Sequence, residues 1–267
     1  MVRLSRAPGA PRGGLGDALT FLTRVPIPRR GDAGPPSLGA TVPWFPVAGA
    51  AIGCVVGGIG AGSWHLVPPA VAAAVAVLGG VLITGAFHED GLADVADAFV
   101  GGWTIDDRMR IMKDPLHGSY GVAALCGSIV VRVVALASVA SAGPLALFAV
   151  AVATHALARA GAVGLMLTGR VAGPAGPDGL GAGYVRDLRR APVIAGIAVA
   201  AVAAVAVAGW WAGPLAVAAV AGVVVVGWWA RRRIGGITGD VLGAAEQVAE
   251  CLCLVVASGI ATRWALW

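Results

Sequence analysis

The sequence predicts an all-α, polytopic integral membrane protein with about seven transmembrane helices, and three observations carry that expectation. Hydrophobic residues make up 58% of the chain and charged residues 12%, against roughly 25% charged in an ordinary soluble domain. Mean hydropathy is +0.85. Apolar runs near the ~20 residues needed to cross a bilayer recur along the chain. So little polar surface cannot cover a water-soluble globule. The 41 glycines and many alanines are poor material for soluble helices, but they let membrane helices approach closely, where packing replaces the hydrophobic drive. The formal charge of +5 comes mainly from arginine, Lys113 being the single lysine. With no basic and aromatic interleaving, this charge reads as topological, and no nucleic-acid partner is expected.

Residues 1–43 read as a cytoplasmic or interfacial segment. They are basic, carry Pro8, Pro11, Pro26 and Pro28, and lack the apolar core of a secretory signal. Leu15 to Val25 is apolar but too short to span, and is expected at the surface or as a re-entrant stretch. Residues 44–267 read as one transmembrane catalytic domain with its acidic motif at 88–121. Spans are expected near Trp44 to Leu66, Val67 to Phe87, Gly121 to Ser141, Leu145 to Thr168, Pro192 to Trp211, Pro214 to Ala230 and Val241 to Ala261. Cys54, Cys126, Cys251 and Cys253 lie inside these runs without Cys-x-x-Cys spacing and read as small hydrophobic fillers. Trp44, Trp64, Trp210, Trp211, Trp228 and Trp229 stand at run ends, where an interfacial aromatic belt is expected.

Arginine placement tests this order. The N-terminal segment, the 88–120 connection, the 169–191 loop and Arg231, Arg232 and Arg233 together hold sixteen of the nineteen basic residues, and the alternate connections hold none. The positive-inside rule makes the basic side cytoplasmic, and the acidic motif shares that side.

Seven of the fourteen acids fall in one stretch: Glu89, Asp90, Asp94, Asp97, Asp106, Asp107 and Asp114. A carboxylate at the bilayer centre costs roughly 2.5 to 3.5 kcal/mol, so the cluster is expected at a water-facing boundary or around cations. On a helix, Asp90, Asp94 and Asp97 share one face and repel. Bound Mg²⁺, which takes a few carboxylates plus waters and phosphate oxygens, is the expected counterweight. These three are therefore the metal-ligand candidates. The bland alternative is a solvated acidic helix at the membrane surface. His88 or one of the aspartates is the candidate general base, and Gly91 leaves room for a ligand. Gly101 and Gly102 should end the helix, with Thr104 and Asp107 capping a second one that puts Asp107 and Asp114 on one side. Asp114 has no capping role in that arrangement and joins the catalytic candidates. Arg108 and Lys113 are phosphate-binding candidates.

Ionisable residues also fall inside spans: Arg132, His155, Arg159, Glu246 and Glu250. There they either pair or line a polar cavity. Arg159 is expected to pair with Glu246 or Glu250, or to face a substrate. Asp240 opens the last span and is a better site candidate than Asp178 or Asp187, which read as ordinary loop acids.

The run from His88 to Asp97, the segment Arg108 to Asp114 and Gly118-Ser119-Tyr120-Gly121 closely resemble the cobalamin synthase family, adenosylcobinamide-GDP ribazoletransferase. The resemblance continues through Phe21-Leu22-Thr23-Arg24-Val25-Pro26, Phe45 to Gly49, Ala158-Arg159-Ala160 and Gly236 to Ala245, covering nearly the whole chain in order. Two departures stand at Ala98, where the family usually has glycine, and at Pro115, where it has a small polar residue. The resemblance implies a bacterial inner-membrane enzyme, active site facing the cytoplasm, that joins α-ribazole or its 5′-phosphate to adenosylcobinamide-GDP, releases GMP and requires Mg²⁺. His88, Asp90, Asp94, Asp97 and Asp114 are then catalytic candidates, and Arg24, Arg108, Lys113, Arg159 and Asp240 substrate-binding ones. A homo-oligomer is compatible with this reading. A CDP-alcohol phosphotransferase fits less well, because no arginine follows the Asp90-Gly91 pair before Arg108. A transporter fits less well too: the acids bunch at one face and no inverted repeat is evident.

Overall fold

The structure, a computed structural model, describes residues 13–28, 37–172 and 188–263. Among them the chain is helical throughout, with one isolated bridge between Val171 and Ile237. The helices are α1 (Leu15–Leu22), α2 (Leu38–Thr41), α3 (Phe45–Trp64), α4 (Pro69–Thr84), α5 (Phe87–Gly101), α6 (Ile105–Ile111), α7 (Ser119–Ala140), α8 (Pro144–Thr168), α9 (Arg190–Ala208), α10 (Ala212–Ile234) and α11 (Gly239–Ala261). Several starts follow from the sequence. Pro69 and Pro144 occupy first-turn positions, where a missing N–H costs nothing. Ser37 and Thr238 accept the first orphan backbone donors of α2 and α11. The short apolar stretch before Arg24 becomes α1, and Phe21 stacks on Phe45 at 5.3 Å, holding α1 against α3.

Five stretches are long and apolar enough to cross a membrane, Leu38–Trp64, Ser119–Ala140, Pro144–Thr168, Arg190–Ile234 and Gly239–Ala261, and a sixth arises if α4 and α5 count as one bent span. This is a multi-pass membrane protein. The expected count of seven is reached only by also counting Arg190–Ile234 as two. That run of 45 residues would be about 68 Å long as one helix, twice the hydrocarbon thickness. Gly209, at φ 53°, breaks it, and both halves pack on α8. The expected span from Val67 to Phe87 is interrupted as well. Gly85 and Ala86 both adopt left-handed backbone (φ 67° and 58°) and turn α5 away from α4 by 88°. The first apolar run begins at Leu38, inside the segment expected to be interfacial.

The bundle has an inner and an outer set of helices. Helix α8 is buried along most of its length, whereas α7, α9 and α10 leave Val130, Val134, Val202 and Val217 exposed, as lipid-facing helices do. The most extensive pairing is α3 on α8, and glycine makes it close. A Cβ at Gly53 would stand 2.7 Å from the Cα of Val152. Two expectations need correction. Cys54 and Cys126 are exposed on the outer surface rather than buried fillers. Trp211 is fully buried, a core residue rather than a belt anchor, and the partly buried Trp229 packs edge-on against Phe99 at 5.2 Å.

The α3 and α8 contact predicts a contrast. Gly53→Leu should overpack the helix pair at a cost of about 1–3 kcal/mol and lower the melting temperature in detergent. Gly58→Leu, whose side chain would meet open space, should melt like the parent. Equal melting of the two variants would contradict the packing.

Candidate active site

Helix α5 carries acids on two opposed faces. Asp90 projects outward with 65% of its side chain exposed, and Asp94 lies one turn on. The turn before α7 returns His117 to both: its Nε2 stands 3.4 Å from Asp90 Oδ1 and its Nδ1 3.5 Å from Asp94 Oδ1. Ligand atoms of the three residues all lie within 4.8 Å of one another. Asp240, in the first turn of α11, adds its negative charge to both aspartates. It comes close because Gly91 has no side chain: a Cβ there would stand 2.8 Å from the Asp240 carbonyl oxygen. Three carboxylates gathered with little cationic charge suit a hard divalent cation. Asp90 and Asp94 fit Mg²⁺ on that ground, with open space for waters and phosphate oxygens.

His117 was not among the sequence candidates. It lies in a connecting turn outside any periodic pattern, and only the return of the chain onto α5 gives it two aspartates. Its residue type and its place one residue before Gly118 were the available signals.

Asp97 shares the α5 face with Asp90 and Asp94 but is covered by the start of α7. Its Oδ2 accepts the Gly118 N–H at 2.6 Å and its Oδ1 the Gly121 N–H at 2.9 Å. It thus supplies the N-terminal cap that Gly118, the residue at the cap position, has no side chain to provide. The two glycines of the 118–121 motif permit this, since a Cβ at either would collide with the Asp97 carboxylate. Asp114 is exposed, lies beyond the end of α6 and accepts the Leu116 N–H at 3.0 Å. It does not share a helix face with Asp107. The expected cap of α6 forms: Thr104 and Asp107 exchange hydrogen bonds, which hold the exposed Asp107 carboxyl below its ordinary range.

The cationic candidates separate. Arg108 donates to the Arg233 carbonyl at 3.0 Å and the Trp103 carbonyl at 3.2 Å, tying α6 to the end of α10. Lys113 is exposed, in the turn that follows α6. Arg24 is exposed and lies over Gly85 at the α4–α5 bend.

The inward side of α5 joins a buried ion network. Glu89, expected at the water-facing boundary, is 2% exposed and accepts from Arg132 of α7 at 2.9 Å. Arg132 also donates to Glu250 of α11 at 3.2 Å. Arg159 of α8 donates to Glu250 at 3.0 Å and contacts Glu246 at 2.6 Å, so it meets both expected partners. His155 pairs with Glu250 as well. His88 is buried, its Nδ1 3.8 Å from Glu246, on the side of α5 away from Asp90.

Fold and site together define a multi-pass helical membrane protein with an open carboxylate and histidine cluster backed by a buried ion network. Residues 14–258 match the CobS family, described as cobalamin-5-phosphate synthase, and the chain belongs to that family. It is 38% identical over 255 residues to the adenosylcobinamide-GDP ribazoletransferase of Ralstonia nicotianae, covering 90% of this chain and 92% of that protein. Proteins of the same name from Chlorobaculum parvum (36% identical; 92% of this chain, 94% of the relative) and Shewanella frigidimarina (33%; 90% and 91%) are similar over the same extent. No solved structure matches significantly.

The network predicts strong coupling. Removing Glu89 alone (Glu89→Met) should cost about 3–5 kcal/mol, because the buried Arg132 then keeps only Glu250, which it shares with Arg159 and His155. Adding Arg132→Met should cost less than the sum of the two single changes. Additive losses in the double variant would show that the two groups do not pair.

Proposed function

We propose that this chain is a Mg²⁺-dependent adenosylcobinamide-GDP ribazoletransferase. In this reaction a hydroxyl of α-ribazole, or of its 5′-phosphate, displaces GMP from adenosylcobinamide-GDP. One observation carries the proposal: Asp90, Asp94 and His117 converge at an exposed face in a chain whose relatives bear that name. Asp90 and Asp94 would hold the metal, with Asp240 beside them. When bound, Mg²⁺ neutralises the diphosphate and the departing GMP phosphate.

The protein's own groups account for the rest of the chemistry. We assign to His117 the role for which sequence alone offered His88 or one of the aspartates. Mg²⁺ prefers oxygen ligands, which leaves the imidazole for proton transfer, and two carboxylates orient the ring. It accepts the proton of the attacking hydroxyl as the new bond from oxygen to phosphorus forms. The diphosphate bond breaks and its bridging oxygen leaves with GMP. Asp97 serves the site by fixing the start of α7, and so the turn that delivers His117.

The site is proposed to face the cytoplasm at the bacterial inner membrane. The supporting observation is the placement of sixteen of nineteen basic residues on the same side as the acidic motif. In a cysteine-free background, a cysteine at the exposed Leu116 should be blocked to a membrane-impermeant thiol reagent in intact cells and should react after lysis. Labelling in intact cells would reverse the orientation.

GMP release from purified, reconstituted protein supplied with adenosylcobinamide-GDP and α-ribazole tests the activity, and chelation should abolish it. Asp90→Asn and Asp94→Asn should nearly abolish turnover and weaken Mn²⁺ binding measured by electron paramagnetic resonance, without lowering the melting temperature. His117→Asn should cut turnover by about 10²-fold or more while leaving Mn²⁺ binding near normal. Asp97→Asn should lower the melting temperature, because it breaks the cap on α7. Normal GMP release from all of these variants, or no response to chelation, would sink the proposal.

A further inference from the structure

Away from the charged face, α8, α9 and α10 enclose a cavity of about 560 Å³ that the proposed reaction does not use. Its wall on α10 runs through Ala216, Val220, Val223, Gly227 and Arg231. These lie on one helix face, fifteen rises apart from first to last, so the cavity extends about 22 Å along the helix axis. Opposite, α8 contributes Gly161, Gly164 and Thr168. A Cβ at Gly164 would meet nothing within 4 Å, so this glycine keeps space open rather than bringing a backbone close. Val220 is 57% exposed although apolar, so the cavity opens sideways through the outer, lipid-facing surface of the bundle.

One end alone is polar. Arg231 donates to the Thr168 carbonyl at 3.1 Å with one nitrogen and is otherwise exposed. Beside it, the Arg232 guanidinium stacks over the Trp228 ring at 4.5 Å. This is the end of the bundle that carries the acidic motif, because Arg108 of α6 donates to the Arg233 carbonyl there. An apolar slot that opens towards hydrocarbon, longer than half of a ~30 Å hydrocarbon core, with arginine and tryptophan at headgroup level, has the dimensions and polarity of a lipid site.

We propose that this cavity seats one acyl chain of an anionic phospholipid, with the lipid phosphate held by Arg231 and Arg232. The phosphate supplies the acceptors that the free guanidinium nitrogens lack, in a planar match that a zwitterionic lipid makes less well because its ammonium group repels the arginines. The chain lies along the valines of α10 and past Gly164 of α8, where no protein side chain fills the space.

The test places the full chain in phosphatidylcholine nanodiscs containing traces of a lipid with a diazirine in its acyl chain. The probe carries either a phosphatidylglycerol or a phosphatidylcholine headgroup. After irradiation, adducts are mapped by mass spectrometry. The phosphatidylglycerol probe should label residues 157–168 and 216–231 in preference to the exposed face of α7. Gly164→Leu should reduce that labelling about tenfold while labelling of α7 stays constant. Ala201→Leu fills the same cavity from α9 and should act alike, so the test stands if one variant fails to fold. Arg231→Gln should remove the excess of phosphatidylglycerol over phosphatidylcholine adducts. Three results would overturn the proposal: equal labelling by both probes in the parent, labelling indifferent to the filling variants, or crosslinks between two copies through α8 and α10 without lipid adducts.

Discussion

The interior of this protein depends on Glu250. Its two carboxylate oxygens are shared by Arg132 of α7 and by His155 and Arg159 of α8, at 2% exposure. Leaving a charge unpaired in a low-dielectric interior costs several kcal/mol, so α7, α8 and α11 must meet in one register for any of these residues to be tolerated. Glu89 brings α5 into the same register through Arg132. Two guanidinium groups and the His155 ring face the three carboxyl groups of Glu89, Glu246 and Glu250. Such a network is weak grounds for high stability, because desolvation offsets much of the attraction. Its structural effect is to allow one arrangement of four helices.

That constraint sets the chemistry at the surface. Successive residues of a helix turn by about 100°, so pointing Glu89 at Arg132 fixes where Asp90 and Asp94 point. They emerge on the open side, while His88 turns inward toward Glu246. The bend at Gly85 and Ala86 makes this possible by releasing α5 from the direction of α4. Ala86 holds a left-handed conformation without glycine's freedom, a cost of order 1–3 kcal/mol that the surrounding contacts must offset.

Much of this was legible in the sequence, and the limits follow from distance along the chain. The carboxylate spacing of Asp90 and Asp94, the Thr104 and Asp107 cap, and the partners of Arg159 are set by helical periodicity or by the cost of charge in a membrane. Both act on local pattern or composition. The inward turn of Glu89 was hidden because its partner, Arg132, is 43 residues away. The burial of Asp97 was hidden for the same reason: it looks like a third ligand until Gly118 and Gly121 arrive to donate to it. Gly85 is one of 41 glycines, and in so glycine-rich a chain a positive φ leaves no mark distinct from close packing.

The glycines near the site show how closely the pieces fit. Gly91 lets the backbone of Asp240 lie against α5, a Cβ at Gly243 would stand 3.4 Å from the Cα of His88, and Gly118 and Gly121 admit the Asp97 carboxylate. The first places the Asp240 carboxylate beside Asp90 and Asp94, and the last fixes the start of α7 and the turn that carries His117. The outcome is electrostatically unfavourable by itself: three aspartates crowd together, and His117 is the one partly exposed group positioned between two of them. Among the described residues, Arg132 and Arg159 are committed to the buried glutamates and Arg108 to backbone carbonyls. The protein therefore gathers negative charge at an open face while three of its arginines are held by other partners. In the proposed function, a cation from solution and the phosphates that it carries in would complete a site built this way.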